Sequence, residues 1–350
     1  MENNNAMITK ETKNKIRVDY EGKLTLKEKL LSKAKTWNTW VKAIVNLFRF
    51  VLMLGVSYVI LFPFFTRVAG SFMSLTDVLN PTVSLIPKEF TLDIYKYLII
   101  EKHYFEALWH TALLSLVCAL IQTLIACLIG YGLAKFKFKG NTAVMLAVVI
   151  SMVIPHSTLS LSMTQHFNDF DLFTVQAWGW MKGPIELILG EAPEITRSFW
   201  PLVILSITGL AFKNGLYIYM MRQFFKGVPD ELEESAYVDG SGVFRTFFQI
   251  IIPLSVPMMI TIFLFSFSWQ WTDEFYTGII WPATDEASKF YLMPDIYKRP
   301  DMIGNVVGAN IYNNVIQNTA GILIITPLVI MYLFCQRYLV QGIERSGLVG

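Results

Sequence analysis

Apolar residues in this chain fall in blocks of about 20, and a helix of that length crosses roughly 30 Å of hydrocarbon. Six such blocks can be drawn, at about 44–66, 108–135, 142–163, 200–221, 250–276 and 320–340. A soluble domain has no use for that pattern. Of the 350 residues, 54% are hydrophobic and only 16% charged. The mean hydropathy is +0.46, whereas soluble domains are closer to about a quarter charged. The expectation is an all-α polytopic membrane protein with six transmembrane helices. The third and fourth blocks are polar at one end, which leaves five or seven crossings as alternatives. The fifth and sixth carry internal prolines, which membrane helices tolerate when neighbours satisfy the freed backbone groups.

Lysine and arginine set the orientation. With the N-terminus inside, the inner segments hold eighteen basic residues, ten of them in the N-terminal tail; the longer outer loops hold nine. Both termini are therefore expected in the cytoplasm. The domain division follows as a cytoplasmic tail over 1–43, a membrane domain over 44–340 and a short cytoplasmic tail over 341–350. Residues 1–23 are polar and expected to lack order. The next stretch, "TLKEKLLSKAKTWNTWVKAIV", spaces Leu26, Leu30, Ala34, Trp37 and Val41 at helical intervals among lysines. It reads as an amphipathic helix on the inner membrane surface, against a solvated linker. The polar stretch before the first apolar block is too long for a secretory leader.

The net charge of +2 gives no argument for nucleic acid. The three cysteines, Cys118, Cys127 and Cys335, all lie in apolar blocks without a CxxC, which favours small buried hydrophobes over a disulfide or a metal site. No GxxxxGK phosphate loop, HExxH or GxSxG occurs, so neither ATP hydrolysis nor those hydrolytic chemistries are expected of this chain, and no cofactor or metal.

One connection is ordered beyond the needs of a solvated loop: "PDELEESAYVDGSGVFRTFFQIIIPLSVP", 229–257. Pro229 suits a first helical turn, and Asp230 and Glu231 favour the positive end of a helix dipole. Gly240, about three turns on, suits a left-handed helix end, with Asp239 beside it. Val243, Phe244, Phe247, Phe248 and Ile251 then form an apolar stripe. The connection reads as two short helices hinged at "DGSG". The first would present Ser235 and Ala236, rimmed by Glu231, Glu233 and Glu234; the second would pack its phenylalanines on the membrane domain. An acidic-rimmed knob on a rigid base suits docking into a cleft on another protein.

These residues carry a resemblance. Glu234-Ser235-Ala236, three residues, Gly240, nine residues and Ile250-Ile251-Ile252-Pro253 resemble the E-A-A…G…I-x-L-P loop of binding-protein-dependent ABC importer permeases. Ser235 and Ile252 depart mildly from it. "RQFFKGVPDELEESAYVDGSG" is similar to the carbohydrate, maltose-type branch. "GYGLAKFKFKGN", "SWQWTDEFYTGIIWP" and "CQRYLVQGIERSGLVG" agree over roughly 50–350, with Thr272 and Asp273 where asparagine is usual and an insertion at 164–199. The resemblance implies a permease of the bacterial cell membrane that moves a carbohydrate, an oligosaccharide by the length of its outer loops. It implies a homologous second permease, two ATP-binding subunits and an extracytoplasmic solute-binding protein as partners. Glu234, Ser235, Ala236, Asp239 and Gly240 would form the ATPase-coupling loop, with Glu234 paired to a basic residue of the ATPase. Glycerol phosphate esters or another polar solute are the rival cargo; a channel or membrane enzyme is the rival class.

Candidates for a substrate path are weaker. His156 lies among Ser157, Thr158, Ser160 and Ser162 after Pro155, where helix packing through small hydroxyl residues competes with sugar binding. Lys213 lies inside the fourth block, and an intramembrane cation is functional by default unless it snorkels. Trp269, Trp271, Asp273, Glu274 and Tyr276 offer aromatic faces and carboxylates to a sugar, or form an interfacial belt. Trp178 and Trp180 are expected near substrate, binding protein or the outer leaflet. The small, polar 300–316 segment is expected, by the resemblance, to reach the binding protein.

Overall fold

The computed structural model describes residues 6–11, 17–22, 37–171, 184–196, 198–281, 291–297 and 308–347. Two compact units divide it, Met1–Arg67 and Val68–Gly350. The first unit holds an antiparallel hairpin, β1 (Ala6–Glu11) and β2 (Arg17–Gly22), in register from Ala6 opposite Gly22 to Glu11 opposite Arg17. The tail is thus not uniformly without order, and a short sheet precedes an otherwise helical fold. The long helix α1 (Trp37–Gly70) begins in this unit, seven residues before the apolar block. The part of the expected amphipathic helix before Trp37 lies outside the described residues.

The second unit is built around α4 (Tyr104–Lys135), after two short helices, α2 (Leu75–Leu79) and α3 (Asp93–Ile100). Much of its inward face is small or polar: Ala107, Thr111, Ser115, Ala119, Gln122 and Ala126 are buried along with Leu114, Tyr131 and Leu133, while Trp109, Leu113, Leu116, Leu120, Leu124 and Leu128 point outward. Lipid is as apolar as leucine, so membrane helices associate where small residues let backbones approach. Gly130 shows how close: a Cβ there would lie 2.6 Å from Met221 Cβ and 3.0 Å from the Arg222 amide nitrogen. A buried clasp ties three helices. Gln122 donates to Ser206 Oγ (3.2 Å) and accepts from Ser266 Oγ (2.7 Å). Nothing in the sequence pattern singled it out.

Four described helices are long and apolar enough to cross a membrane: Trp40–Gly70, Tyr104–Lys135, Val243–Trp271 and Asn310–Leu339. The other two expected spans are each broken within the block rather than continuous helices. The third breaks at Pro155: α5 (Asn141–Val153) and the following turn and helix α6 (Ser160–Asn168) are bent by 95°. The fourth is two helices, α8 (Trp200–Ile207) and α9 (Asn214–Lys226), parted by Gly209 at φ +75° and Lys213 at φ +64°. Between these pairs lies α7 (Pro184–Leu189) in the 164–199 insertion; Trp178 and Trp180 lie outside the described residues.

The fifth span starts earlier than its apolar block. After α10 (Glu231–Val238), α11 (Val243–Thr246) runs through a widened turn at Phe247–Ile251 into α12 (Ile252–Trp271). Ile252 donates to Phe247 O five residues back, next to Pro253, which has no N–H to give. Two short helices, α13 (Phe275–Ile280) and α14 (Met293–Ile296), lead to α15 (Ala309–Gly347). That last helix extends well past the 320–340 block into the expected tail. Of the 300–316 segment, the part before residue 308 lies outside the described residues.

Candidate functional site

The loop before the fifth span folds as a knob bolted to the end of α4. Its helix α10 ends in a Schellman turn: Gly240 (φ +80°) donates to Tyr237 O at 3.0 Å and Ser241 to Ala236 O at 2.9 Å. The left-handed glycine expected from the spacing is present. Glu231, Glu234, Ser235 and Asp239 are exposed. Ala236 and Glu233 are not: both are buried, one turn apart on the inner face. The displayed small patch therefore reduces to Ser235, and Glu233 leaves the acidic rim. The phenylalanine stripe also divides, with Phe247 and Ile251 buried and Phe244 and Phe248 exposed.

Lys135, the last residue of α4, explains why Glu233 turns inward. Its side chain is 7% exposed, and its ammonium donates to Val228 O (2.7 Å) and to the Asp230 carboxylate, with Glu233 Oε1 at 3.8 Å. Tyr131 adds a 3.4 Å hydrogen bond to Glu233 Oε2. The end of α4 is tied down further by Arg222 Nε on Leu133 O (3.4 Å) and Asn141 Nδ2 on Leu133 O (3.2 Å) and Phe136 O (3.1 Å). These donors satisfy carbonyls that a helix end leaves free. The two carboxylates differ in kind. The Lys135 hydrogen bond, then its charge, holds exposed Asp230 below the usual carboxylate range. Burial pushes Glu233 above it, against Lys135 and Tyr131. Sequence reading missed Lys135 because the ion pair joins residues about a hundred positions apart.

A second constellation forms where the two broken helix pairs meet. Gly215 lets α9 approach α5; a Cβ there would lie 2.7 Å from Ser151 Oγ and 3.0 Å from Val148 O. Beside this contact is a cleft of about 480 Å³, lined among others by Pro155, His156, Lys213, Asn214 and Tyr276. His156 Nδ1 and the Tyr276 hydroxyl are 2.7 Å apart, and the His156 ring lies 4.8 Å from that of Phe212. The Lys213 ammonium sits 4.9 Å from the Phe212 centroid and 5.3 Å from that of Trp269. Asn214 is 1% exposed and neither amide atom has a hydrogen-bond partner. Such an orphaned group costs about 1–3 kcal/mol.

The expected path residues thus separate. His156 and Trp269 converge around Phe212 and Lys213. Trp271 does not join them: it is 2% exposed, packs with Ile316, Ala320 and Ile324 of α15, and its indole N–H donates to Ile324 O at 3.0 Å. Asp273 turns back to cap α13, accepting the Phe275, Tyr276 and Thr277 amides at 3.0–3.2 Å. Glu274 is exposed beside it. Asn214 went unread, although a second polar residue directly after Lys213 in an apolar block was the available signal. Cys118 and Cys127 are buried and Cys335 half-buried, all as free thiols.

Known proteins agree with this architecture. The family model described as "Binding-protein-dependent transport system inner membrane component" matches residues 122–345. The chain is 24% identical over 298 residues to the arabinooligosaccharides transport system permease protein AraQ of Halalkalibacterium halodurans, covering 84% of this chain and 93% of that one. It is 25% identical over 312 residues to the galactooligosaccharides transport system permease protein GanQ of Bacillus subtilis, covering 87% and 95%. A chain from the crystal structure of a bacterial ABC transporter that imports the acidic polysaccharide alginate superposes with a TM-score of 0.58 at 20% identity, covering 87% and 98%. The knob, its position between α9 and α12, and a family match across most of the second unit lead to one conclusion: the chain is a multi-pass membrane protein and belongs to the inner-membrane components of binding-protein-dependent transport systems.

Proposed function

We propose that this chain is one of two permease subunits of an ATP-driven importer for a carbohydrate, and specifically an oligosaccharide. The broken helix pairs count as its third and fourth crossings, so the membrane is crossed six times with both termini inside. The knob then faces the cytoplasm. There it docks into a cleft of an ATP-hydrolysing subunit, with Glu234, Ser235, Asp239 and the turn at Gly240 forming the contact. Ala236 supports the contact from within.

One observation carries the reading: the Lys135 network makes α10 an extension of the 32-residue helix α4. A pull on the knob reaches the membrane core through an ion pair and a carbonyl, without a soft linker. The ATPases close on ATP, the knobs move, and the two permeases rock between inward-open and outward-open states. An extracytoplasmic binding protein delivers the solute. The transport systems named for AraQ and GanQ support an oligosaccharide cargo over glycerol phosphate esters.

Glu234→Lys tests the assignment. In the assembled complex it should abolish solute-stimulated ATP hydrolysis while the membrane domain stays folded. Hydrolysis at the wild-type level would show that Glu234 is not part of the coupling contact. A channel would copurify with no ATPase, and a membrane enzyme would turn over substrate alone.

A further inference from the structure

We propose that the cleft at the two helix breaks binds an anionic group, a carboxylate or a phosphate ester, carried by the transported solute. The inference rests on the permease reading and adds a charge requirement to it. Lys213 supplies the first observation. No carboxylate among the described residues lies within 4.0 Å of its ammonium, and the rings of Phe212 and Trp269 face it. A cation in a largely apolar lining is costly without a counter-charge. Phe212 and Trp269 offset part of that cost by cation–π attraction and hold the ammonium at the cleft.

Asn214 supplies the second, independent observation. Its amide is buried and unpartnered at both ends, and the residue lines the same cleft. The native chain keeps an uncompensated donor beside an uncompensated cation. An oxyanion would answer both at once, accepting from Nδ2 and balancing Nζ. The position adds a third favourable contribution, since Asn214 opens the 13-residue helix α9 and a helix N-terminus attracts negative charge. Lys213 holds a left-handed backbone (φ +64°) to stand there, a conformation that is unfavourable for a lysine. Tyr276, hydrogen-bonded to His156, borders the same space with a hydroxyl suited to the polar edge of a sugar.

The test uses the complete complex with its partner subunits, in nanodiscs of phosphatidylcholine alone and with phosphatidylglycerol added. The probes are trigalacturonate, the neutral trisaccharide made from it by carboxyl reduction, and glycerol 3-phosphate. Binding is read as thermal stabilisation of the complex. Wild type should respond to at least one anionic probe at about tenfold lower concentration than to the neutral sugar, the scale of one charge-assisted hydrogen bond. Trigalacturonate acting alone identifies a sugar acid; glycerol 3-phosphate acting alone identifies a phosphate ester.

Lys213→Gln should erase that preference, Lys213→Arg should keep it, and Asn214→Leu should weaken it with the fold intact. Equal response to charged and neutral probes, no response to either anion, or a preference that survives Lys213→Gln overturns the proposal. A Lys213-dependent response to phosphatidylglycerol alone also overturns it, by assigning the site to a lipid headgroup. The permease reading fails separately, if no solute stimulates ATP hydrolysis in the same complex.

Discussion

The knob and the cleft are built from similar materials and left in opposite states. At the knob, Lys135 meets Val228 O, Asp230 and Glu233. At the cleft, Lys213 has aromatic faces and no carboxylate within 4.0 Å among the described residues, and the Asn214 side-chain amide has no hydrogen-bond partner. A lysine whose charge is answered within the chain braces the knob; one whose charge is left open is suited to an occupant. Backbone geometry follows the same division. The left-handed residue in the knob is a glycine, which adopts φ > 0 without strain, whereas the cleft places a lysine there.

That contrast breaks first at Lys135. Lys135→Ala removes the charge facing buried Glu233, leaving it only the Tyr131 hydrogen bond, and frees the Val228 carbonyl, at a cost of about 1–3 kcal/mol. Amide exchange across 229–240 should accelerate, and solute-stimulated ATP hydrolysis should fall even with Glu234 intact. Protection like that of wild type would mean the knob is held by its apolar face alone.

The equivalent change at the cleft should have the reverse sign. Asn214→Leu removes an orphaned amide, so thermal stability of the complex should hold or rise by about 1 kcal/mol while solute uptake declines. A loss of stability as large as that of Lys135→Ala would make Asn214 a structural residue.

The smallest effect concerns Glu233. Its folded-state pKa is raised by burial, so its contribution to knob stability is fully present below the ordinary carboxylate range and lost as pH rises through the raised value. Asp230 runs the other way, its contribution lost as pH falls through its lowered value. Glu233→Gln should therefore leave the knob seated near neutral pH and flatten the upper of the two pH transitions in amide exchange. Unchanged pH dependence would remove Glu233 from the network.

Much of this molecule was readable before its structure. Periodicity and length disclosed the helical membrane domain, and the spacing from Glu234 to Pro253 located the knob and its glycine hinge. Two blocks drawn as single helices are broken ones, because hydropathy counts apolar residues and is blind to direction. Pro155 and the Gly209–Lys213 segment interrupt an apolar run without making it polar. Tryptophan and carboxylate content at the end of α12 pointed to a sugar path, yet Trp271 and Asp273 found partners in Ile324 and in α13.

Chain composition alone determined the solvent of this protein, since apolar blocks of that length have to lie in lipid, and local turn chemistry determined where the knob begins and ends. Tertiary structure decided which polar groups are satisfied. Lys135 and Lys213 look alike in sequence, each a lysine in apolar surroundings, one at the end of a block and one inside it. Only the approach of chain segments distant in sequence gives one a carboxylate partner and leaves the other facing a cleft, because pairing depends on a few ångströms in space and sequence separation does not encode them.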